Sequence, residues 1–306
     1  IGVLSTQSYH KEAYDEYHLE LLQNLSLYVA IAIKNARVYQ QLDVKNGDIL
    51  ASIRYARRIQ RAILPLKEHM EQILPEHFVF YHPKDIVSGD FYWLEQTEDL
   101  IFLVVADCTG HGVSGALMTM LGSSALTEII IQNKVHEPAQ ILTTLDKVLH
   151  RNLKSKDTQI RDGMDMGVCV IDLAHQQLHF AGAKSTMLLV QNDHNENTLS
   201  KKVKEVKGSL YSINGHRKAN DQATFTTHTF DIDEPTYFYL YSDGFQDQFG
   251  GESGKKFMKS RFRELLVRIS HYAIDEQKDM LLEQLIGWMD GQNQVDDISV
   301  VGVKLG

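Results

Sequence analysis

The sequence predicts an α/β (α+β) protein in which a long coiled-coil-like helix precedes a β-sandwich flanked by helix pairs. Residues 14–63 carry apolar side chains at helical spacing, and Pro65 is expected to end that helix. From about Pro75 the period changes to short β-branched or aromatic segments. Two helical regions interrupt these segments, so we expect two packed sheets with helices on their outer faces.

The N-terminal helix carries a seam typical of a coiled coil. Apolar residues or alanine recur at alternating steps of three and four, at Leu22, Leu25, Val29, Ala32, Ala36 and Tyr39. The pattern resumes further along at Asn46, Ile49, Ile53, Ala56, Gln60 and Ile63. A homodimer interface is the favoured interpretation, and two ordinary surface helices are the alternative. Gly47 is a point at which the helix could divide.

The strand-like segments are HFVFYHP, GDFYWLEQ, LIFLVVADC, DMGVCVIDL, QLHFAGA, STMLLVQ, TFTTHTFDI, TYFYLYSDG and ISVVGVKLG. Helices are expected over residues 113–132 with 138–152, and over 254–270 with 275–290. The run LHFAGAKSTMLLV predicts a hairpin with its turn near Lys184 and Ser185, and SINGHR carries an Asn-Gly turn signal.

Composition and charge exclude several classes of protein. The formal net charge of −9 makes a nucleic-acid backbone an unfavourable partner. Two cysteines give no disulfide framework and are typical of a reducing, cytoplasmic location. No apolar run is expected to span a membrane, and no signal peptide is evident. Because the chain opens on IGVLSTQ, in what looks like the middle of a strand, we expect a fragment of a longer protein.

Aspartates stand at the end or margin of four predicted strands: Asp90, Asp107, Asp243 and the pair Asp296-Asp297. A carboxylate at the edge of a core must be exposed, paired or bound to metal, because burying it alone is costly. Oxygen ligands without clustered His or Cys favour Mg²⁺ or Mn²⁺ over zinc.

Glycines accompany these acids and allow close backbone approach or positive φ, at Gly89, Gly110, Gly112 and Gly244. Each motif alone has an ordinary structural explanation. An Asp-Gly pair after a strand is usually a turn, and His111 alone is more often a turn residue than a ligand. Four such placements around one sandwich are what favour a metal site.

Four segments follow one another in order: SGDFY, DCTGHGVSGA, YSDGFQD and DDISVV. Together they resemble the motifs of the SpoIIE-type branch of the protein phosphatase 2C-like (PPM) serine/threonine phosphatases, and the resemblance covers about Pro75 to the end. It implies a PPM-type αββα sandwich with a dinuclear Mn²⁺ or Mg²⁺ centre.

The resemblance also implies residue roles. Asp107 would bridge both metals, and the backbone carbonyl of Cys108 would bind one of them. Asp243 and Asp296 would be further direct ligands, and Asp90 would bind directly or through water. Asp297 would support the ligands from behind, although the adjacent acids are not distinguished by sequence.

Departures from the family pattern affect the surroundings of the site. Trp93 stands where the family often has an acid, Gly115 replaces an alanine and Asp247 replaces a glutamate. Asp162 and Asp165 could bind a third metal, but a solvated loop before a strand is the favoured interpretation. The basic residue that holds the substrate phosphate in the family is not identifiable, and candidates near the motifs are Lys84, Arg161 and Lys184.

The upstream sequence divides into two predicted regions. Residues 1–42 resemble the last strand and C-terminal helix of a GAF sensor domain, and residues 43–74, with ARRIQRAILP, resemble the helical linker of SpoIIE-type proteins. The phosphatase domain is assigned to residues 75–306. The linker is expected to be dimerising and regulatory. Mutations in it should therefore change activity without altering the metal site, and the positions predicted to matter are Ile49, Ile53, Ile59 and Ile63.

The sequence therefore favours a metal-dependent phosphatase that acts on phosphoserine and phosphothreonine in a bacterial partner-switching pathway. By resemblance, its substrate would be a phosphorylated STAS-domain anti-anti-sigma protein. One alternative is a catalytically inactive, dimeric pseudo-phosphatase scaffold. Another is a metal-dependent phosphodiesterase or small-molecule phosphatase, which metal chemistry alone does not exclude.

Overall fold

A computed structural model describes residues 2–153, 162–193, 200–215, 223–232, 234–252 and 254–306. The chain divides into two compact units, residues 1–55 and 56–306. The division falls inside the predicted linker. The assignment of residues 1–42, 43–74 and 75–306 to separate domains stays a prediction.

The first unit consists mainly of helix. Helix α1 (Glu16–Ile63) is continuous for 48 residues, so the expected division at Gly47 is wrong. One glycine costs a helix interior about 1 kcal/mol, which the surrounding good helix formers offset. The strand expected at residues 1–7 is also wrong for the described residues 2–7, which lie in irregular, exposed backbone. No strand elsewhere in the described chain pairs with them, and an isolated strand is not stable.

In the second unit, the strands described by the structure form two five-stranded sheets and a two-stranded ribbon. Their bounds are β1 (His77–His82), β2 (Asp90–Thr97), β3 (Leu100–Cys108), β4 (Met164–Asp172), β5 (Gln177–Ala183), β6 (Thr186–Asp193), β7 (Ser200–Lys207), β8 (His228–Asp231), β9 (Thr236–Tyr241), β10 (Phe249–Gly250), β11 (Lys255–Lys256) and β12 (Ile298–Leu305). One sheet has the order β1-β12-β9-β6-β7 and the other β2-β3-β4-β5-β8. Every pairing within these sheets is antiparallel.

Helix pairs cover the outer faces of the two sheets, whereas Met70 of the short helix after α1 packs in the core between the sheets. Besides the end of α1, the helices of this unit are α2 (Lys67–Ile73), α3 (Gly112–Leu126) with a π-helical continuation (Thr127–Gln132), α4 (Pro138–Asn152), α5 (Gly244–Asp247), α6 (Lys259–Ile269) and α7 (Ile274–Met289). The helix expected from residue 254 begins only at Lys259. Gly254 and Met258 have φ of 57° and 78°, which a right-handed helix does not allow.

Strand β3 contributes side chains to two different hydrophobic cores. Its side chains alternate between two cores because successive residues of a strand face opposite sides of the sheet. Phe102 and Val104 pack with the α3 and α4 side, whereas Leu103 and Val105 pack in the core between the two sheets. A third core lies between the other sheet and α6 and α7. The predicted αββα sandwich is confirmed.

One predicted connection is wrong. The expected hairpin at Lys184 and Ser185 joins β5 to β6, but these strands belong to different sheets. The connection therefore crosses between the two layers, and Lys184 adopts a left-handed φ of 51° to make this turn. Strand β7, which pairs with β6, was not predicted because its sequence SKKVKEVK is mostly charged.

Among the described residues, one stretch passes a length-and-composition test for a membrane span. It is Gly112–Gln132, with a mean hydropathy of 1.3, and 56% of the tested window is buried inside the protein. Core helices of globular domains have these properties too, and Leu126, Ile129 and Ile130 of this stretch belong to the core beside β3.

Candidate active site

Three neighbouring strands place carboxylates in one row. Asp90, the first residue of β2, lies opposite Asp107 near the end of β3. Asp107 in turn lies opposite Asp165 near the start of β4. Antiparallel pairing brings the end of one strand beside the start of the next, so acids that are distant in sequence meet at one edge of the sheet.

The other sheet contributes further acids to this edge. Asp243 follows β9, and its carboxyl group lies beside that of Asp107, with which it shares a hydrogen bond. Asp296 and Asp297 precede β12, the neighbour of β9, and the charge of Asp296 acts on both Asp107 and Asp243. The structure thus brings Asp90, Asp107, Asp243 and Asp296 into one electrostatically coupled group, as expected from their positions at strand ends.

Burial and mutual repulsion make these carboxylates hard to ionise. Burial, together with the charges of Asp90 and Asp243, raises the pKa of Asp107 to about 10. Burial raises the pKa of Asp90 to about 7, against a hydrogen bond from Ser242 that favours the charged form. The pKa of Asp243 is also raised, first by burial and then by the charges of Asp247 and Asp296. Such a group gains stability from a bound cation.

The donor set fits a hard divalent cation. Asp90 is 2% exposed, and its Oδ2 has no hydrogen-bond partner. A buried carboxylate oxygen without a donor is costly unless a cation takes that place. The carboxylates offer only oxygen, which suits Mg²⁺ and Mn²⁺. Within the described residues, no group of three or more His, Cys, Asp or Glu side chains stands close enough together to hold a metal ion as the side chains lie.

Asp296 and Asp297 differ in their surroundings. Asp297 is 3% exposed, and its two oxygens accept hydrogen bonds from the backbone N–H groups of Lys84, at 2.8 Å, and Gly89, at 2.7 Å. Asp296 is half-buried and accepts only the N–H of Asp297 among the described contacts of its side chain. Asp297 therefore fixes the β1–β2 loop beside Asp90, and Asp296 keeps oxygen free for a ligand.

The glycine-framed turn after β3 packs against this loop. Gly110 and Gly112 have φ of 89° and 67°, as expected for a tight turn. A Cβ on Gly89 would overlap the carbonyl oxygen of Gly110, so the turn and the loop meet backbone to backbone. His111, at the tip, lies with its Nδ1 2.8 Å from Oδ2 of Asp85 on that same loop. His111 thus lies in a turn, as its sequence context favours, and its ring also pairs with Asp85.

Gln60 was predicted as part of the dimer seam, and the structure places it elsewhere. It is 3% exposed, and its side-chain amide donates to the carbonyl of Ser88 at 2.6 Å and to Oγ1 of Thr119 at 3.1 Å. Its Oε1 accepts the N–H of Ser88 at 3.0 Å. The end of α1 is thus hydrogen-bonded to the residue two positions before Asp90. A polar residue in an apolar seam was the sequence signal for such a contact.

Other residues that the sequence singled out differ in how close they lie to these acids. Asp165 lies within β4 rather than in a loop, whereas Asp162 is exposed just before that strand. Trp93 is buried in the core beside α3 and α4. Arg161 lies outside the described residues. Lys84 contributes its backbone N–H to Asp297 rather than a placed ammonium group.

Comparisons with known proteins agree with this fold. A family model described as Stage II sporulation protein E (SpoIIE) matches residues 97–306. The solved SiaA-PP2C domain of Pseudomonas aeruginosa is 33% identical, with a TM-score of 0.75, over 85% of this chain and 98% of that one. The chain has the PP2C fold, and it belongs to the SpoIIE family.

Two curated relatives come from Bacillus subtilis (strain 168). "Phosphoserine phosphatase RsbU" is 25% identical over 47% of this chain and 43% of its own length. "Phosphoserine phosphatase RsbP" is 25% identical over 63% of this chain and 44% of its own length. The chain therefore spans less than half the length of these relatives.

Proposed function

We propose that this protein is a metal-dependent serine/threonine protein phosphatase. The observation that carries the proposal is the coupled group of carboxylates at the sandwich edge, with an orphaned oxygen on the buried Asp90. A group of like charges whose burial raises the pKa of its members is unfavourable for folding and useful for binding cations. This argues against a pseudo-phosphatase scaffold, which has no use for such an arrangement.

The residues that would hold two Mn²⁺ or Mg²⁺ ions are Asp90, Asp107, Asp243 and Asp296, with the backbone carbonyl of Cys108. When bound, such ions supply an activated water at neutral pH and neutralise charge on the phosphoryl oxygens. Asp107 is central because strand pairing places it between Asp90 and Asp165, and because it contacts Asp243.

We propose His111 as the side chain that moves a proton. Nδ1 of His111 lies 2.8 Å from Oδ2 of Asp85, and the turn that carries His111 packs on Gly89, the residue before Asp90. Both partners are about half exposed, with side-chain exposures of 52% for His111 and 45% for Asp85. We assign Nε2 the delivery of a proton to the serine or threonine oxygen as it leaves the phosphate.

A phosphorylated protein is the substrate class that we favour. The site lies at an exposed rim, where Asp243 is accessible, so a phosphoserine on a protein surface reaches it. The net charge of −9 disfavours nucleic acid as a substrate. The names of the two relatives, both phosphoserine phosphatases, support this class. A STAS-domain anti-anti-sigma protein in a partner-switching pathway is the specific substrate that we propose.

The N-terminal helix supplies the proposed dimer interface. Along α1, large apolar side chains are exposed at seam positions, among them Leu25 at 49%, Val29 at 38% and Tyr39 at 72%. Pairing with a second copy would remove them from water. We further propose that linker residues Ile49, Ile53, Ile59 and Ile63 regulate activity. The two cysteines are free and buried, consistent with a cytoplasmic protein.

The experiment that tests the proposed function is phosphate release from a phosphoserine peptide with Mn²⁺, Mg²⁺ or EDTA. We expect metal-dependent turnover that Asp107→Asn abolishes and that Asp99→Asn, at an exposed turn, leaves unchanged. Faster release from nucleotide phosphates than from the peptide would favour a small-molecule phosphatase. Metal binding without turnover on any substrate would favour the scaffold.

A further inference from the structure

Lys184 is held by backbone and side-chain contacts beside the candidate metal site. It lies in the connection that crosses from β5 to β6, with a left-handed φ of 51°. Its Nζ is 2.9 Å from Oδ2 of Asp165, and Oδ1 of Asp165 accepts the hydroxyl of Ser212. Both oxygens of Asp165 are therefore occupied by other side chains.

A segment that we name the strap, residues 208–213, fixes both ends of this ion pair. At one end, the backbone N–H of Lys184 donates to the carbonyl of Ser209 at 2.8 Å. At the other end, Ile213 forms a two-way backbone bridge with Met164, next to Asp165. Ser212 lies between them and binds Asp165. The strap thus positions the lysine and its carboxylate together.

The ion pair faces the site from the side of β4. Asp165 is the cross-strand neighbour of Asp107, and the charges of Asp243 and Asp107 both act on Lys184. The side chain of Lys184 is 60% exposed, whereas that of Asp165 is 25% exposed. The ammonium group is therefore accessible at the rim while its partner carboxylate lies deeper.

A phosphate dianion that approaches the metal site passes a rim of carboxylates, and a fixed cation beside them can orient it. An ammonium group has three N–H donors, and Asp165 occupies only one of them. Among the described residues, Lys256 is a second lysine whose charge interacts with acids of the site, but it is paired with Asp247 at 2.7 Å beside the two-stranded ribbon. The strap does not hold it.

We propose that Lys184 binds the phosphoryl oxygens of the substrate, with Asp165 and Ser212 as its positioning residues. The proposal rests on the proposed phosphatase function and deepens it. It also assigns Asp165 to Lys184 rather than to a third metal ion. The signal in the sequence was the acid Asp165 in an otherwise apolar strand start, which pairs with a lysine 19 residues later.

The test compares Lys184→Gln, Lys184→Arg and Asp165→Asn with the wild type in Mn²⁺. The control is Lys207→Gln, which removes the same charge at an exposed position at the end of β7. We measure KM and kcat for a phosphoserine peptide, the inhibition constant of inorganic phosphate, and Mn²⁺ affinity by calorimetry.

We expect Lys184→Gln to raise both KM and the phosphate inhibition constant at least tenfold, with a smaller change in kcat. Lys184→Arg should restore part of this loss. Asp165→Asn should raise KM severalfold while Mn²⁺ affinity stays unchanged. Lys207→Gln should behave as the wild type.

Two results would overturn the inference. The first is an inhibition constant of inorganic phosphate that is the same in Lys184→Gln and in the wild type. If the wild type is active, this result removes the role of Lys184 and leaves the proposed phosphatase function intact. The second is a loss of Mn²⁺ affinity in Asp165→Asn, which would make Asp165 a metal ligand. A wild type that neither turns over the peptide nor binds inorganic phosphate by calorimetry would remove the proposed function as well.

Discussion

The two units of the chain depart from ordinary burial in opposite ways. In residues 56–306, carboxylates are buried at the ends of strands, and Asp90 is only 2% exposed. In residues 2–55, apolar side chains are exposed along a helix, with Tyr39 at 72% and Leu25 at 49%. Proteins normally bury apolar groups and expose charges.

Each departure is unfavourable for the isolated chain and favourable once a partner binds. A divalent cation compensates the buried carboxylates, because it supplies the opposite charge that they lack. A second copy of the helix compensates the exposed apolar seam, because it removes that surface from water. A residue whose burial is opposite to what its polarity favours therefore indicates a binding site or an interface more directly than a residue of ordinary burial.

The largest effect is expected at the acids of the candidate metal site. Asp243→Asn removes a carboxylate that contacts Asp107 and weakens the proposed metal site, so we expect phosphate release to fall about a thousandfold or more. Initial rates at saturating Mn²⁺ measure this. The matched control, Asp279→Asn, is an exposed acid on α7 and should keep full activity. Equal rates for Asp243→Asn and the wild type would remove Asp243 from the site.

The exposed seam is tested by oligomeric state. Val29→Glu places a charge in the seam, so we expect a dimer of the wild type to become a monomer, as measured by sedimentation equilibrium. Leu27→Glu makes the same kind of change outside the seam, at a residue that is 59% exposed, and should leave a dimer. A monomeric wild type would contradict the interpretation of the seam.

Gln60 is an intermediate case, a seam residue that the structure buries. Gln60→Leu would leave the N–H and carbonyl of Ser88 without partners, so we expect the free energy of unfolding to fall by about 1–3 kcal/mol. Urea unfolding measures this, with exposed Gln40→Leu as the control. Activity should fall as well, because Ser88 precedes the Gly89-Asp90 pair. An unchanged stability would contradict the assignment of these hydrogen bonds.

The smallest effect is expected in the linker. Ile59, at 36% exposure, borders Gln60, so we expect Ile59→Ala to change kcat by about two- to fivefold through the packing of this helix end. Mn²⁺ affinity should stay the same, which distinguishes regulation from damage to the site. Ile31→Ala, a similar exposed position in the first unit, is the comparison variant. A loss of Mn²⁺ affinity in Ile59→Ala would contradict a purely regulatory role.

The sequence predicts well those features that follow a local period. The alternation of β3, the positions of the aspartates at strand ends and the tight turn at Gly110 and Gly112 are all local patterns. Long-range pairing is not local, so the crossing between sheets at Lys184 was mistaken for a hairpin. Strand β7 lies at the edge of its described sheet, where charged side chains are common. Its sequence therefore lacks the apolar alternation from which a strand is predicted.

The sequence also did not predict which side chains from different elements contact each other. The contact of Asp165 with Lys184, and that of Gln60 with Ser88, join residues from different elements. No spacing rule links such pairs. The assignment of Asp297 to backbone N–H groups, rather than to a metal, likewise depends on how the β1–β2 loop folds over it.

The buried acids also dictate how stability depends on pH. The pKa of Asp107 is raised to about 10 in the folded state, above its ordinary value of 3.8. The folded state therefore binds more protons than the unfolded state between these values, and stability should fall as pH rises through this range in EDTA. Asp107→Asn cannot ionise and should flatten this dependence.

The most direct test of the central claim is the thermal unfolding of the wild type and Asp107→Asn at pH 7.5, in EDTA and in Mn²⁺. In EDTA the variant should unfold about 2–4 °C higher, because asparagine does not have to take up a proton on folding, whereas an aspartate with a folded-state pKa of about 10 must do so at pH 7.5. In Mn²⁺ the order should reverse, because only the wild type gains the full stabilisation from metal binding. A variant that is less stable than the wild type in both conditions would contradict the claim that these acids are maintained for a cation.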